Sequence, residues 1–244
     1  MTNISRAASK SSEPNHQTTR VQPTSRPRIK ICCISSAEEA RQAIAGGASA
    51  LGLVARMPSG PGIISDEVIR EIARLIPPPV ASFLLTSETS AQSIIAHQRR
   101  VRTNTIQLVD QLSEGSYDEI REALPGISLV QVIHVVGEES VAEADRVARH
   151  VDAVLLDSGN PTLDVKELGG TGRVHNWEIS RRIRESLDVP VFLAGGLRAD
   201  NVRQAVETVR PFGLDLCSGV RTDGNLDAGK LKQFFEAVRS VDGY

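Results

Sequence analysis

The chain has 244 residues, with 28 Lys or Arg against 30 Asp or Glu and a formal net charge of -2. This balance argues against a protein that binds nucleic acid or anionic lipid through a basic face, and an aromatic share of 3% argues against recognition by base stacking. No stretch approaches the roughly 20 apolar residues that a membrane-spanning helix needs. We therefore expect a cytoplasmic protein with a small-molecule ligand and with neither a nucleic-acid nor a membrane partner.

The chain begins with a tail that is rich in Ser, Thr, Pro, Asn and Gln and has almost no large apolar residue. Such a segment cannot bury enough apolar surface to offset the entropy of ordering it. We predict a disordered tail over residues 1–27 and a single domain over residues 28–244. The tail is also basic, a composition shared by organelle transit peptides, although no amphipathic apolar stripe accompanies its arginines.

From Arg28 onward, short β-branched runs alternate with segments of helical period. The predicted strands span residues 29–33, 50–55, 80–85, 105–109, 128–135, 153–157, 189–194 and 213–218. The predicted helices span residues 37–45, 66–75, 90–98, 116–123, 139–150, 177–185, 199–209 and 228–240.

Polar residues mark the starts of several of these helices. Ser36, Ser65, Ser116 and Asp200 are predicted N-caps, because their side chains can accept from free backbone N–H groups of the first turn. Gly46-Gly47 is predicted to close the first helix in a left-handed turn.

The strands are nearly continuous apolar runs separated by helices, which indicates a parallel sheet covered on both faces. Eight such units in about 215 residues favour a single-domain α/β fold of the (β/α)8 barrel type. A doubly wound open sheet is the alternative.

Two glycine turns follow neighbouring strands near the C-terminus. Gly195 and Gly196 follow the seventh strand, and Ser218, Gly219 and Val220 follow the eighth. Such turns let peptide N–H groups approach an anion, and barrels commonly hold phosphate at this place. The pair predicts a phosphate site.

The sixth strand ends in Asp157, a carboxyl group at the barrel mouth that can cap the next loop or donate a proton. The long loop after it, residues 159–176, contains the glycine-rich run 169–173. We interpret this loop as a mobile cover with glycine hinges, with an ordinary surface loop as the alternative.

The first strand carries Lys30 and Cys32 on one face and Cys33 on the other, because side chains alternate along a strand. A Lys inside a small barrel needs a partner, and a nearby ammonium group favours a thiolate at Cys32. Cys33 is expected on the outer face, packed under a helix. On the eighth strand, Cys217 is expected to be a packing residue and Asp215 a polar contact to a substrate.

The 3 cysteines have neither the number of a disulfide framework nor the spacing of a zinc site, so we expect no bound metal. His134, at the end of the fifth strand, is expected to make a structural polar contact. Arg221 is expected on the rim, beside the phosphate loops.

Several of these segments together resemble the phosphoribosylanthranilate isomerase family of tryptophan biosynthesis. They are Lys30-Ile31-Cys32, Leu155-Leu156-Asp157-Ser158, Gly169-Gly170-Thr171-Gly172, Leu193-Ala194-Gly195-Gly196-Leu197, Asn201-Val202, Val209-Arg210-Pro211-Phe212-Gly213-Leu214-Asp215 and Ser218-Gly219-Val220. The likeness runs from about Arg28 to Arg239. It implies a (β/α)8 barrel without cofactor or metal that performs an Amadori rearrangement on N-(5-phosphoribosyl)anthranilate.

The resemblance also implies residue roles. Asp157 would be the general acid that protonates the ribose ring oxygen, and Cys32 the general base that removes the C2′ proton. The two glycine turns would hold the phosphate. The implied substrate contacts are Lys30, Gln107, Gly170 and Asp215.

The chain departs from the family in three places. Cys33 stands where the family usually has Gly, and residues 60–62 read Gly-Pro-Gly where the family has Ser-Pro-Arg, whose Arg meets the anthranilate carboxylate. Arg56 is the proposed substitute. After Gln107-Leu108 the family's His is replaced by Val109. Losing a charge-assisted contact costs roughly 1.5 to 3 kcal/mol, so a weak isomerase or a changed substrate is expected.

Other functions stay open at this point. The barrel could bind a sugar phosphate as a non-catalytic sensor or partner subunit, or isomerise a different aminoaldose phosphate. The related isomerase of histidine biosynthesis would place Asp where Cys32 stands. The sequence leaves open whether the protein is a monomer or a homodimer.

Overall fold

The computed structural model describes residues 26–159, 172 and 174–241, and the tail predicted over residues 1–27 lies almost entirely outside them. Eight parallel strands form one closed barrel, in which each strand pairs with its neighbours in chain order and the last pairs with the first. The (β/α)8 prediction is confirmed and the open sheet is excluded. Among the described residues, no helix combines the length and apolar character needed to span a bilayer.

The barrel strands are β1 (Arg28–Ile31), β2 (Ala50–Val54), β3 (Ala81–Thr86), β4 (Thr105–Leu108), β5 (Ser128–His134), β6 (Ala153–Asp157), β7 (Val191–Leu193) and β8 (Gly213–Leu216). The helices are α1 (Ala37–Gly46), α2 (Asp66–Leu75), α3 (Ala91–Val101), α4 (Tyr117–Ala123), α5 (Glu139–Ala148), α6 (Trp177–Ser186), α7 (Val202–Val209) and α8 (Ala228–Arg239). After β8 the chain makes a single 3-10 turn (Ser218–Val220) and a short hairpin of β9 (Arg221–Thr222) and β10 (Asn225–Leu226).

Three of the four predicted N-caps are confirmed. The hydroxyl groups of Ser36, Ser65 and Ser116 each accept from the N–H three residues later. Asp200 is not a cap: α7 starts later, with Asn201 as its N-cap residue. The reason is local, because the Asn201 carbonyl oxygen Oδ1 accepts from Arg198 N at 2.8 Å and closes a turn before the helix begins.

Gly47 ends α1 as predicted. Its φ of 110° is left-handed, and its N–H donates to the carbonyl groups of Ala43 and Ile44. Glycine reaches this conformation without the steric cost that a Cβ brings.

The core has two layers. Leu, Ile and Val side chains pack between the sheet and the helices, and a smaller cluster fills the barrel interior. At its amino-terminal end, the interior holds Phe83, Phe192 and Phe212, whose rings meet edge to face at 6.0 and 5.5 Å between centroids. The phenylalanine end therefore stabilises the barrel, while polar side chains gather at the carboxyl end.

Candidate active site

A cleft with about 670 Å³ of empty space, open to solvent, lies at the carboxyl ends of the strands. Eight of the residues predicted to act on a substrate or phosphate line it: Cys32, Gln107, Asp157, Gly195, Gly196, Asp215, Ser218 and Gly219. Parts of the chain that are far apart in sequence thus meet in one cavity. This is the end of the barrel where (β/α)8 enzymes carry their chemistry.

Cys32 lies just beyond β1, where its N–H donates to the carbonyl of Leu216 at 2.7 Å. The side chain is buried. Gly52, on the neighbouring strand, leaves room for it: a Cβ there would lie 2.8 Å from Cys32 Sγ and 3.1 Å from Lys30 Nζ. The thiol and the ammonium group therefore converge on the same small space.

Lys30 is fully buried and its Nζ donates to Asp215 Oδ1 at 2.8 Å. Burial acts to lower the pKa of Lys30, but the attraction of Asp215 and of the cysteine sulfurs outweighs it and raises that pKa to about 12. The ammonium group stays charged. Asp215 lines the cleft, whereas Lys30 lies beneath it and is not part of the cleft surface.

Asp157 ends β6 with 8% of its surface exposed. Burial raises the pKa of its carboxyl group, and the charge of Asp215 adds to this; the N–H of Ser158, which donates to Oδ1 at 2.7 Å, opposes it. Since a raised pKa favours the protonated form, this shift favours Asp157 as a proton donor.

Two polar groups near the cleft have no protein partner within the described structure. The amide oxygen Oε1 of Gln107 is buried at the cleft wall, and Nδ1 of His134 is buried beside Asp157. Nε2 of His134 contacts the Val109 carbonyl at 3.1 Å, in keeping with the structural contact expected of it. A buried acceptor without a donor is costly, so Gln107 is well placed to accept a hydrogen bond from a ligand.

The two glycine turns after β7 and β8 touch each other. Gly195 and Gly196 have φ of 83° and 62°, and a Cβ on Gly219 would lie 2.0 Å from the Leu197 carbonyl oxygen. Only glycine fits there. Of the predicted phosphate residues, Val220 is fully buried and does not line the cleft.

Besides Lys30, one further predicted substrate contact does not line the cleft. Arg56 is exposed and lies outside the cleft lining. Gly170 lies outside the described residues. Within the loop predicted to be a cover, Gly172 lines the cleft, and a Cβ added there would lie 3.5 Å from Ser218 Oγ.

The expected position of Cys33 is wrong. β1 ends at Ile31, so the alternation of a strand no longer applies, and Cys33 has a left-handed φ of 61° and lines the cleft. Cys217 packs against the apolar cluster of the barrel interior, as expected, and it also lines the cleft, partly buried. The sequence held one signal, since the family places Gly, the residue that favours positive φ, where Cys33 stands.

The predicted position of Arg221 on the rim is also wrong, because only 8% of its side chain is exposed. Its guanidinium group donates to Glu39 at 2.9 and 3.1 Å and to the carbonyl groups of Cys32 and Cys33. Glu39 accepts in turn from Ser35 N and Leu226 N. These bonds join the loops after β1 and β8. The two segments are about 180 residues apart in the sequence, so no local sequence pattern predicts the contact.

Within the described part of the chain, no group of three or more His, Cys, Asp or Glu side chains is arranged to hold a metal ion. The groups that the cleft offers for chemistry are a buried carboxyl group, thiols and oriented peptide N–H groups.

The family model described as N-(5'phosphoribosyl)anthranilate (PRA) isomerase matches residues 29–237. Among curated relatives, the N-(5'-phosphoribosyl)anthranilate isomerase of Methanocella arvoryzae is 32% identical over 87% of this chain and 98% of its own. That of Halobacterium salinarum is 37% identical over 85% and 93%. The solved structure of phosphoribosyl anthranilate isomerase from Thermotoga maritima superposes with a TM-score of 0.72 at 28% identity, covering 87% of this chain and 98% of that one. The chain belongs to the N-(5'-phosphoribosyl)anthranilate isomerase family.

Proposed function

We propose that this chain catalyses the Amadori rearrangement of N-(5'-phosphoribosyl)anthranilate to 1-(2-carboxyphenylamino)-1-deoxyribulose 5-phosphate. The observation that carries the proposal is the shared cleft: Cys32 and Asp157 line it together with the glycine turns at Gly195 and Gly219. An acid, a base and an anion cradle are the parts that this reaction requires.

In the first step Asp157 gives its proton to the ribose ring oxygen. The bond between that oxygen and C1′ breaks while the anilino nitrogen forms a double bond to C1′, which yields an open-chain Schiff base. Burial, by raising the pKa of Asp157, keeps the proton available for this step. The general acid role follows from that state.

In the second step Cys32, as thiolate, removes the proton on C2′. The electron pair of the C–H bond forms the C1′–C2′ double bond of an enolamine, and the electrons of the C–N double bond return to nitrogen. Tautomerisation of the enolamine gives the ketone. The charged Lys30, which converges with Cys32 above Gly52, stabilises the negative charge near the thiol.

The phosphate end of the substrate is assigned to the two glycine turns. Peptide N–H groups in left-handed turns form concave anion sites, and the side chain of Ser218 adds a hydroxyl group at the cleft. Gln107 and Asp215 are assigned to the sugar hydroxyl and amino groups between the phosphate and the aromatic ring.

One observation favours a second candidate, an isomerase of a different aminoaldose phosphate. The described cleft lining contains no Lys or Arg, and the charge of the underlying Lys30 is matched by Asp215. A carboxylate on the aromatic ring therefore meets no free cation there, and Arg56 is outside the lining. A substrate without that carboxylate would lose no ionic contact at this cleft.

The test is a fluorescence assay of anthranilate-type substrate consumption by the purified full-length protein. We expect turnover in the native protein, and a loss of about 100-fold or more in kcat for both Cys32→Ala and Asp157→Asn, the range of general acid–base contributions. Growth of a tryptophan auxotroph lacking the isomerase provides the parallel readout. If both variants keep native rates, the assigned proton transfers are wrong.

A matched comparison decides between the two substrates. The assay is repeated with N-(5'-phosphoribosyl)aniline, which lacks the carboxylate. Equal or better kcat/KM for the aniline compound supports the second candidate, whereas a clear preference for the anthranilate compound supports the first.

The proposed location is the cytoplasm. Fusion of residues 1–27 to a fluorescent protein tests it, because a transit peptide would direct the fusion into an organelle. A monomer or a homodimer remains the predicted assembly, measurable by light scattering.

A further inference from the structure

All 3 cysteines of the chain meet at one end of the barrel. Cys32 and Cys33 follow β1, and Cys217 follows β8, the strand that pairs with β1 so that Ile31 lies opposite Leu216. The left-handed turn at Cys33 carries its side chain into the cleft, where Cys217 packs against the same apolar cluster. Cys33 and Cys217 therefore reach the same cleft from the ends of two paired strands.

The two thiols differ in access and in charge environment. Cys217 is partly exposed, whereas Cys33 is buried. The interaction with the Cys33 thiol lowers the pKa of Cys217 against the opposing effect of burial, and the cation of Arg221 lowers it further. The interactions with Cys217 and Cys32, together with burial, raise the pKa of Cys33.

These differences determine which of the two thiols should react first. The accessible sulfur beside a cation is the one that attacks, and the buried partner within reach is the one that follows. Neither sulfur has a part in the proton transfers assigned to Cys32 and Asp157.

We propose that Cys217 and Cys33 form a thiol modification site that reacts with small disulfides of the glutathione type. The Cys217 thiolate attacks one sulfur of the small disulfide, which breaks the S–S bond and releases one small thiol. Cys33, as thiolate, then attacks Cys217 Sγ, which releases the second small thiol and leaves a Cys33–Cys217 disulfide. The protein loses two electrons and two protons, and the small disulfide gains them.

The site adjoins the phosphate cradle, because Cys217 directly precedes Ser218 and Gly219. A mixed disulfide on Cys217 occupies the same end of the cleft as a bound phosphate. Modification and phosphate binding should therefore exclude each other. This last point rests on the proposed function, while the chemistry of the thiol pair does not.

The experiment follows the mass of the full-length, reduced protein during reaction with oxidised glutathione. We expect a transient gain of one glutathionyl group, then a product lighter than the starting protein by two hydrogens, with peptide mapping that joins Cys33 to Cys217. Dithiothreitol should restore the starting mass. Because the readout is mass, it is independent of isomerase activity.

Two variants separate the roles of the sulfurs. Cys33→Gly, which suits the positive φ, should stop at the mixed disulfide on Cys217. Cys217→Ser should slow the first addition by about tenfold or more. Cys33→Ala serves in place of Cys33→Gly if circular dichroism shows that the glycine variant is unfolded.

Inorganic phosphate is the probe for the link to the cleft. If saturating phosphate slows the reaction of Cys217, modification and phosphate binding exclude each other. An unchanged reaction rate overturns that mutual exclusion but leaves the proposed Cys33–Cys217 disulfide standing. A disulfide mapped to Cys32, undiminished addition to the Cys217→Ser variant, or no addition to the native protein overturns the modification site itself.

Discussion

The raised pKa of Asp157 has opposite effects on the proposed activity and on the stability of the fold. Its pKa is raised in the folded state, chiefly by burial, so the unfolded chain gives up this proton at a lower pH than the folded one. Folding is then opposed by the charged carboxylate, and the stability that the protonated group contributes is lost as pH rises above the ordinary aspartate range. Such a conflict is typical of catalytic groups.

Asp157→Asn removes the charge and keeps the oxygen that accepts from Ser158 N. We expect the variant to have a higher melting temperature than the native protein at neutral pH and no advantage below about pH 4, where both side chains are neutral. Calorimetry across this range provides the measurement. A lower melting temperature at neutral pH would contradict the assigned cause of the shift.

Lys30 and Asp215 form a buried ion pair with 0% and 8% of their side chains exposed. Lys30→Met leaves Asp215 buried without its cation, which costs about 3 to 5 kcal/mol of unfolding free energy. The double variant Lys30→Met with Asp215→Leu should regain most of the loss, because two apolar groups replace the pair. Urea unfolding measures both; a double variant as weak as the single one would contradict the account.

At the scale of elements, the loop after β8 braces the loop after β1. Arg221, 8% exposed, and Glu39, 11% exposed, form the link, and the guanidinium group also holds the carbonyl groups of Cys32 and Cys33. Left-handed backbone at a residue with a Cβ, as at Cys33, costs roughly 1 to 2 kcal/mol. The link offsets that cost.

Arg221→Met should lower the unfolding free energy by about 3 kcal/mol, the range for breaking a buried pair. Burial acts to raise the pKa of Glu39, but the hydrogen bonds from Arg221 and from backbone N–H groups outweigh it, and the net shift is downward. The ion pair therefore stops stabilising the fold as pH falls through this lowered pKa. The destabilisation caused by Arg221→Met should be smaller at acid pH for this reason. Urea unfolding at pH 7 and pH 3 tests this. Exposed Arg203, on α7, supplies the control Arg203→Met, for which we expect little change.

Helix and strand positions were predictable because apolar periodicity is a local property of the chain. Every predicted barrel strand and helix has a counterpart, while strand ends differ by a few residues, as at β1, predicted to residue 33 and ending at Ile31. The misassigned orientation of Cys33 follows from that difference. Its contacts, and those of Arg221, join loops that only barrel closure brings together, so periodicity could not show them.

For the whole molecule, one half-buried histidine contributes to the expected acid sensitivity. Burial lowers the pKa of His175 from its ordinary value of 6.5 to about 4, and its Nε2 lies 2.7 Å from Ser180 Oγ. The unfolded chain therefore binds a proton first as pH falls, and stability is lost between about pH 6.5 and 4. His175→Gln should weaken this dependence, measured by chemical unfolding across the range.

The pairing of the first strand with the last has a consequence for how activity arises. β1 contributes Lys30 and is followed by Cys32, while β8 contributes Asp215 and is followed by one of the two glycine turns, so the junction of the first and last strands lies at the cleft. A nascent chain that still lacks β8 has the proposed base Cys32 without the Lys30–Asp215 ion pair beside it. Regain of turnover during refolding thus reports the moment at which the two ends of the sheet meet.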